Sequence, residues 1–170
     1  MPTTRSSTIN HKTTTHPTAR RETSHDAIKL LTEDHTKVKK MFKDFEKLCQ
    51  KNDNRGKEEL AAKICGELTV HAQLEEEIFY PAVREAIDED KLMNEAMIEH
   101  ASAKDLITQI QSMKASDPMF DATVTVLGEY INHHIKEEQN EIFPKTQKAG
   151  MDLEALGEEI KERKEALLKE

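Results

Sequence analysis

The chain repeats itself at a fixed spacing: His71-x-x-x-Glu75 leads to Pro81, and 63 residues later His134-x-x-x-Glu138 leads to Pro144. The offsets 134 − 71, 138 − 75 and 144 − 81 are all 63, and Ile78-Phe79-Tyr80-Pro81 against Ile142-Phe143-Pro144 extends the likeness. His35 and His100, 65 apart, give each copy a further histidine. A chain built this way is expected to fold as two copies of one helical hairpin.

The hydrophobic pattern agrees with that unit. From Ser24, read as an N-cap, Ile28, Leu31, Val38, Phe42 and Phe45 recur at three- and four-residue spacing, which predicts a first helix over 26–50 with His35 on its apolar stripe. Lys51 to Gly56 is a turn by composition. A second stripe through Leu60, Ile64, Leu68, Leu74 and Ile78 predicts a helix over 57–87, bent near Pro81, with His71 and Glu75 at its inner face. A third helix, 91–114, carries Met93, Ala96, Ala103, Ile107 and Ile110 around His100. Asp117-Pro118 reads as the cap and first turn of a fourth, whose stripe runs from Phe120 to Ile131 and into His134 and Glu138. After Gly150, a segment capped by Asp152 is a fifth, accessory helix. The fold class expected is therefore all-α: an antiparallel up-down four-helix bundle over 24–148, preceded by a flexible polar tail (1–23) and followed by an accessory helix (149–170).

Depth in the bundle gives the repeat its chemical meaning. In an antiparallel hairpin, residues equidistant from the turn lie level; the midpoint of 35 and 71 is 53, inside the first turn, and that of 100 and 134 is 117, inside the last. Four helices thus present one histidine each to a common layer, with Glu75 and Glu138 a turn away on the same faces. A metal-free bundle would have to bury two carboxylates and four imidazoles. Each unpaired buried charge costs several kcal/mol against a domain stability of about 5–15 kcal/mol. A cation among them removes the difficulty, and His35, His71, Glu75, His100, His134 and Glu138 are the candidate metal ligands. Oxygen and nitrogen donors without thiolate suit iron, manganese or zinc, and bridging carboxylates favour two ions close together; iron is the first choice. Two glutamate charges do not balance two divalent ions, so water, hydroxide or a substrate must complete the coordination.

Composition narrows the alternatives. The net charge is −8, of which residues 1–24 contribute +3, so the remainder carries −11 and repels phosphate backbones; no nucleic-acid partner is expected. No segment reaches the roughly 20 apolar residues of a membrane span, and the N-terminus has no secretory core, so a cytoplasmic protein is expected. Cys49 and Cys65 form no C-x-x-C and are read as free thiols in a reducing compartment.

At these residues the sequence resembles the haemerythrin-like HHE cation-binding family, whose histidine followed by His-x-x-x-Glu, given twice over four helices, corresponds to about residues 26–148. The resemblance implies a non-haem di-iron centre: His35 and His71 on one iron, His100 and His134 on the other, Glu75 and Glu138 bridging together with oxo or hydroxo. It implies binding or reduction of a small oxidant (oxygen, peroxide or nitric oxide) in oxidative-stress or iron-homeostasis service. An iron or oxygen sensor without turnover is the alternative, so enzyme status stays open. One departure is clear. Oxygen carriers of this family have another histidine one turn after the third-helix histidine, where this chain has Lys104. Around the site, Glu67 is read as a partner for a ligating imidazole, Tyr130 as a core residue or a donor to a bound oxidant, His133 as a surface residue, and Glu76, Glu77, Glu137 and Glu141 as a solvated face.

Overall fold

The computed structural model describes residues 26–169. The expected flexible tail and the Ser24 cap lie outside them. All regular structure among the described residues is helical: α1 (Ala27–Gln50), α2 (Asn54–Leu74), a π-helical turn π1 (Glu75–Phe79), α3 (Tyr80–Ala86), α4 (Asp90–Ser112), α5 (Phe120–Glu137), a second π turn π2 (Glu138–Ile142), α6 (Phe143–Lys148) and α7 (Leu153–Leu167). Helix runs without a break through α2–π1–α3 and again through α5–π2–α6. The bundle therefore has four long helices, with α1 packed on α2, α4 on α5, and the hairpins joined by α1 on α5 and α2 on α4.

The boundaries follow from local chemistry. Asp26 caps α1 by accepting from Lys29 N at 2.8 Å, and the helix runs from Ala27. Asp53 caps α2 through Gly56 N, and Asp152 caps α7 through Ala155 N. Asp117 and Pro118 do not form the first turn of α5. They make the bend before it, where the Asp117 carboxylate accepts from Met119 N at 2.8 Å and α5 begins at Phe120.

The irregularity expected near Pro81 takes the form of a π turn. Pro81 and Pro144 have no N–H to return to the carbonyl four residues back, and each lies just beyond a π turn whose closing bond spans five residues: Tyr80 N to Glu75 C=O, and Phe143 N to Glu138 C=O. Both turns start on a candidate ligand.

Apolar side chains form two clusters rather than one. The first contains Val38, Phe45, Ile64, Leu68, Ile107, Phe120 and Leu127; the second contains Leu31, Leu74, Phe79, Tyr80, Met93 and Ile142 together with Leu156 and Ile160 of α7. The histidine layer separates them. α7 lies along α1 and π1, where Arg163 pairs with Glu77 and Lys164 with Asp34. Cys49 and Cys65 are both free, the latter buried. Among the described residues no helix is long and apolar enough to cross a membrane.

Candidate metal centre

Each of the four helices delivers one imidazole from the middle of its buried stripe, and their Nε2 atoms converge. His35 Nε2 stands 3.0 Å from His71 Nε2, and His100 Nε2 stands 3.1 Å from His134 Nε2. The level placement inferred from the turn midpoints is what the structure shows. Glu75 and Glu138, fully buried, lie between the two pairs. Glu75 Oε1 is 3.0 Å from His71 Nε2 and its Oε2 is 3.1 Å from His100 Nε2, so this one carboxylate touches both pairs; Glu138 Oε2 is 3.2 Å from His35 Nε2. All six residues named from the sequence are in one cluster, arranged as two overlapping groups, His35–His71–Glu75–Glu138 and Glu75–His100–His134.

Several features fit a cation better than hydrogen bonding among the residues themselves. Glu75 Oε1 and Glu138 Oε2 are buried without a well-aligned hydrogen bond, their polar neighbours being the Nε2 atoms of His71 at 3.0 Å and His35 at 3.2 Å, an arrangement of carboxylates and imidazoles that a cation between them would satisfy. The other ring nitrogens face outward to polar partners: His134 Nδ1 to Glu99 Oε2 at 2.7 Å, His100 Nδ1 to Glu76 Oε1 at 2.9 Å, and His35 Nδ1 to the Gln139 amide at 3.3 Å. His71 Nδ1 is 3.6 Å from Asp34 Oδ2, too long for a hydrogen bond but within ion-pair reach. A carboxylate holding Nδ1–H fixes the tautomer that leaves Nε2 its lone pair, which is how metal-binding histidines are commonly supported.

Charge is distributed unevenly over the cluster. Burial works against charge on His71, but Glu75 and Asp34 outweigh it and push its pKa up to about 10; burial is likewise overcome at His134 by Glu75 and Glu99, again to about 10. Burial and the neighbouring His71 charge drive His35 down to about 3. Burial disfavours ionisation of both glutamates; the surrounding imidazoles reverse this for Glu75, holding it well below the usual range, while repulsion from Glu75 adds to burial in pushing Glu138 up.

The supporting residues were mostly not anticipated. Glu67, expected to hold an imidazole, pairs instead with Lys37. Glu76 is no solvated residue: it is half-buried on His100 and takes Lys104 Nζ at 2.6 and 2.7 Å. Asp34 and Glu99 had drawn no attention. Their signal in the sequence is adjacency, since Asp34, Glu76, Glu99 and Gln139 each flank a candidate ligand by one position. His133 is at the surface, between Glu99 and Glu137. Tyr130 is 43% exposed and lines an outer cleft with Glu99, Glu129 and His133, so it is neither a core residue nor in the site. The tyrosine in the site is Tyr80, buried, with its hydroxyl 3.3 Å from Glu138 Oε1.

Beside the imidazoles is a cavity of about 30 Å³ walled by Val38, Leu68, Ala103, Ile107, Ile131 and Ile135. That volume holds a molecule of about two heavy atoms. Of its polar lining residues away from the cluster, Lys104 and Glu67 reach solvent.

Comparison with known proteins places this geometry. Residues 26–146 match the family model described as "Hemerythrin HHE cation binding domain". A solved structure of a hemerythrin HHE cation binding domain-containing protein from Mycobacterium kansasii superposes with a TM-score of 0.70 over 84% of this chain and 86% of that one, at 23% identity, a likeness of fold. A protein of Nostoc sp. named DNA nickase is 33% identical over 110 residues, which are 65% of this chain and 30% of that protein. The chain thus spans less than a third of that relative.

Proposed function

The chain belongs to the haemerythrin HHE cation-binding family, and from that premise we propose that it holds a pair of iron ions on His35, His71, Glu75, His100, His134 and Glu138 and uses them to bind or reduce a small oxidant such as oxygen, peroxide or nitric oxide. The observation that carries the metal reading is the pair of fully buried carboxylates set among four inward-facing imidazole nitrogens, all within about one coordination sphere of one another. The observation that carries the oxidant is the small, mostly apolar cavity beside them, of a size for a molecule of a few heavy atoms.

Iron, when bound there, would supply Lewis acidity and exchangeable electrons. The chain's own residues do the rest. Asp34, Glu76, Glu99 and Gln139 hold the imidazoles in orientation, so the lone pairs stay convergent without reorganisation. Glu75, reaching both histidine pairs, is placed to bridge. The aliphatic wall excludes larger molecules, and Lys104, where oxygen carriers have a further histidine, fixes Glu76 rather than adding a donor. That departure favours reaction over reversible carriage. The free thiols Cys49 and Cys65 support a reducing, cytoplasmic setting. No nucleic-acid partner is proposed: the part beyond residue 24 carries a net −11, and the nicking named for the Nostoc protein belongs to a chain of which 30% is matched.

A sensor without turnover is the second reading, favoured by one contact. Lys164 of α7 holds Asp34, which faces His71, so the C-terminal helix is tied to the cluster. The deciding experiment is metal content per chain on protein purified without added metal or chelator, followed by peroxide and oxygen consumption. A pair of irons with turnover supports the oxidant-reducing function; a pair of irons without turnover supports the sensor. No metal even after anaerobic iron loading sinks both.

A further inference from the structure

A second group of metal-binding side chains stands outside the buried cluster, on the two helices that carry His100 and His134. Glu99 of α4 and His133 and Glu137 of α5, the last two one turn apart, each place a ligand atom within 4.8 Å of the others. His133 Nε2 is 3.4 Å from Glu99 Oε1 and 3.3 Å from Glu137 Oε1.

Charge-assisted hydrogen bonds between an imidazole and a carboxylate usually close to about 2.7–2.9 Å, as His134 Nδ1 does with the other oxygen of Glu99. Two donors bound to one ion at about 2.0–2.1 Å with a tetrahedral angle between them stand about 3.3–3.4 Å apart. The outer imidazole keeps the second spacing from both carboxylates. Glu99 is also held ready, because its Oε2 is tied to His134 and freeing Oε1 from its outward position would break that contact. The surroundings favour a cation. Among the described residues neither Glu99 nor Glu137 pairs with a lysine, whereas Lys37 and Lys104 neutralise Glu67 and Glu76. The adjoining cleft of about 340 Å³, lined by Glu129 and Tyr130 besides Glu99 and His133, leaves room for water to complete a coordination shell.

We propose that Glu99, His133 and Glu137 form an outer, exchangeable site for one divalent transition-metal ion, which shares Glu99 with the buried cluster. Two carboxylates balance the charge of such an ion, and the imidazole selects manganese, ferrous iron or zinc over magnesium, which prefers oxygen ligands. With the His133 side chain 63% exposed, the ion exchanges freely and is lost on desalting, so the metal content of purified protein counts the buried positions alone. An ion on Glu99 Oε1 draws negative charge away from His134 Nδ1 and weakens His134 as a donor, so filling the outer site loosens metal in the cluster. The site stands on its own donors; its link to the cluster rests on the reading above that the cluster holds metal.

Full-length protein is loaded anaerobically with ferrous iron, desalted, and titrated with Mn²⁺ in excess Mg²⁺, free Mn²⁺ being counted by its electron paramagnetic resonance signal. The expected result is one exchangeable Mn²⁺ per chain in the parent and in Glu141→Gln, an exposed carboxylate one turn beyond the site, and its loss in His133→Ala and Glu137→Gln. Parent protein that binds no more Mn²⁺ than His133→Ala, or binding that excess Mg²⁺ abolishes, overturns the outer site. The link is read separately, as release of iron to a ferrous-selective chelator. Added Mn²⁺ should speed release from the parent and not from His133→Ala, by less than the about 10- to 100-fold expected for losing the Glu99 charge outright. Equal release from both removes the link. Parent protein that retains no iron, yet binds one more Mn²⁺ than His133→Ala, removes the buried metal reading and leaves the outer site standing.

Discussion

Glu99 shows how much a single side chain can decide at this site. One carboxylate oxygen holds His134 Nδ1 at 2.7 Å and the other faces His133, so the residue couples a buried ligand to the surface. Glu99→Gln keeps the shape but loses the charge that favours Nδ1–H, and metal affinity is expected to fall about 10- to 100-fold in a chelator competition. Glu67→Gln, which touches only Lys37, should leave affinity unchanged. His71→Ala should lower metal content, whereas His133→Ala should not; full occupancy after loss of both His71 and His134 would refute the ligand set. The six candidate ligands were legible because repetition and turn symmetry both act on sequence position. Their supports were not, since each belongs to a different helix from the imidazole it holds: Asp34 on α1 serves His71 on α2, and Glu76 on π1 serves His100 on α4. Tyr80 was legible only as part of a motif. At α-helical periodicity, residue i+5 falls roughly 140° from residue i, away from Glu75, and only the wider π turn brings it back.

At the scale of the element, the long helices were readable from three-and-four spacing, because burial of one stripe is what stabilises them. Some ends moved by a few residues, as at Asn54, where Asp53 caps α2 three residues ahead of the expected start. The π turns were not readable, since proline marks the position of an irregularity but not which carbonyl takes up the slack. Two glycines give a test of how tightly the elements fit. A Cβ on Gly66 would meet nothing within 4 Å, so Gly66→Ala should gain the helix propensity that glycine lacks, about 0.5–1 kcal/mol, seen as a raised denaturation midpoint. A Cβ on Gly128 would sit 3.0 Å from the Phe42 ring, so there the same change should gain less or cost stability, which is the mark of α1 lying close on α5.

For the whole molecule, the polar layer sits between two apolar clusters, and stability should follow its occupancy. Metal held at a free concentration about 100-fold above its Kd adds about 2.7 kcal/mol, so chelation should lower Tm by several degrees, and a Tm indifferent to chelation would argue against a buried site. α7 was foreseen as an accessory, but it buries Leu156 and Ile160 in the second cluster. At about 1.5–3 kcal/mol for each such side chain, ending the chain at Gly150 should cost several kcal/mol in chemical denaturation and weaken metal retention through the lost Lys164–Asp34 pair. A truncated chain with unchanged stability and metal affinity would reduce α7 to an ornament. Nothing in the sequence set that helix against the cluster, because Lys164 and Asp34 are joined only by the tertiary fold.

The supports also obey the repeat. Asp34 and Glu99 are 65 apart, like the histidines they precede, and Glu76 and Gln139 are 63 apart, like the glutamates. Asp34 and Glu99 act within their own hairpins, but Glu76 of the first hairpin reaches His100 of the second while Gln139 of the second reaches His35 of the first. Contacts in which i meets j and the copy of i meets the copy of j are the signature of a two-fold interface between identical subunits. The bundle is in effect a symmetric dimer written as one chain, joined by the short segment between α3 and α4. Its halves need not be identical, and around the cluster they differ at Tyr80 opposite Phe143 and at Glu76 opposite Gln139.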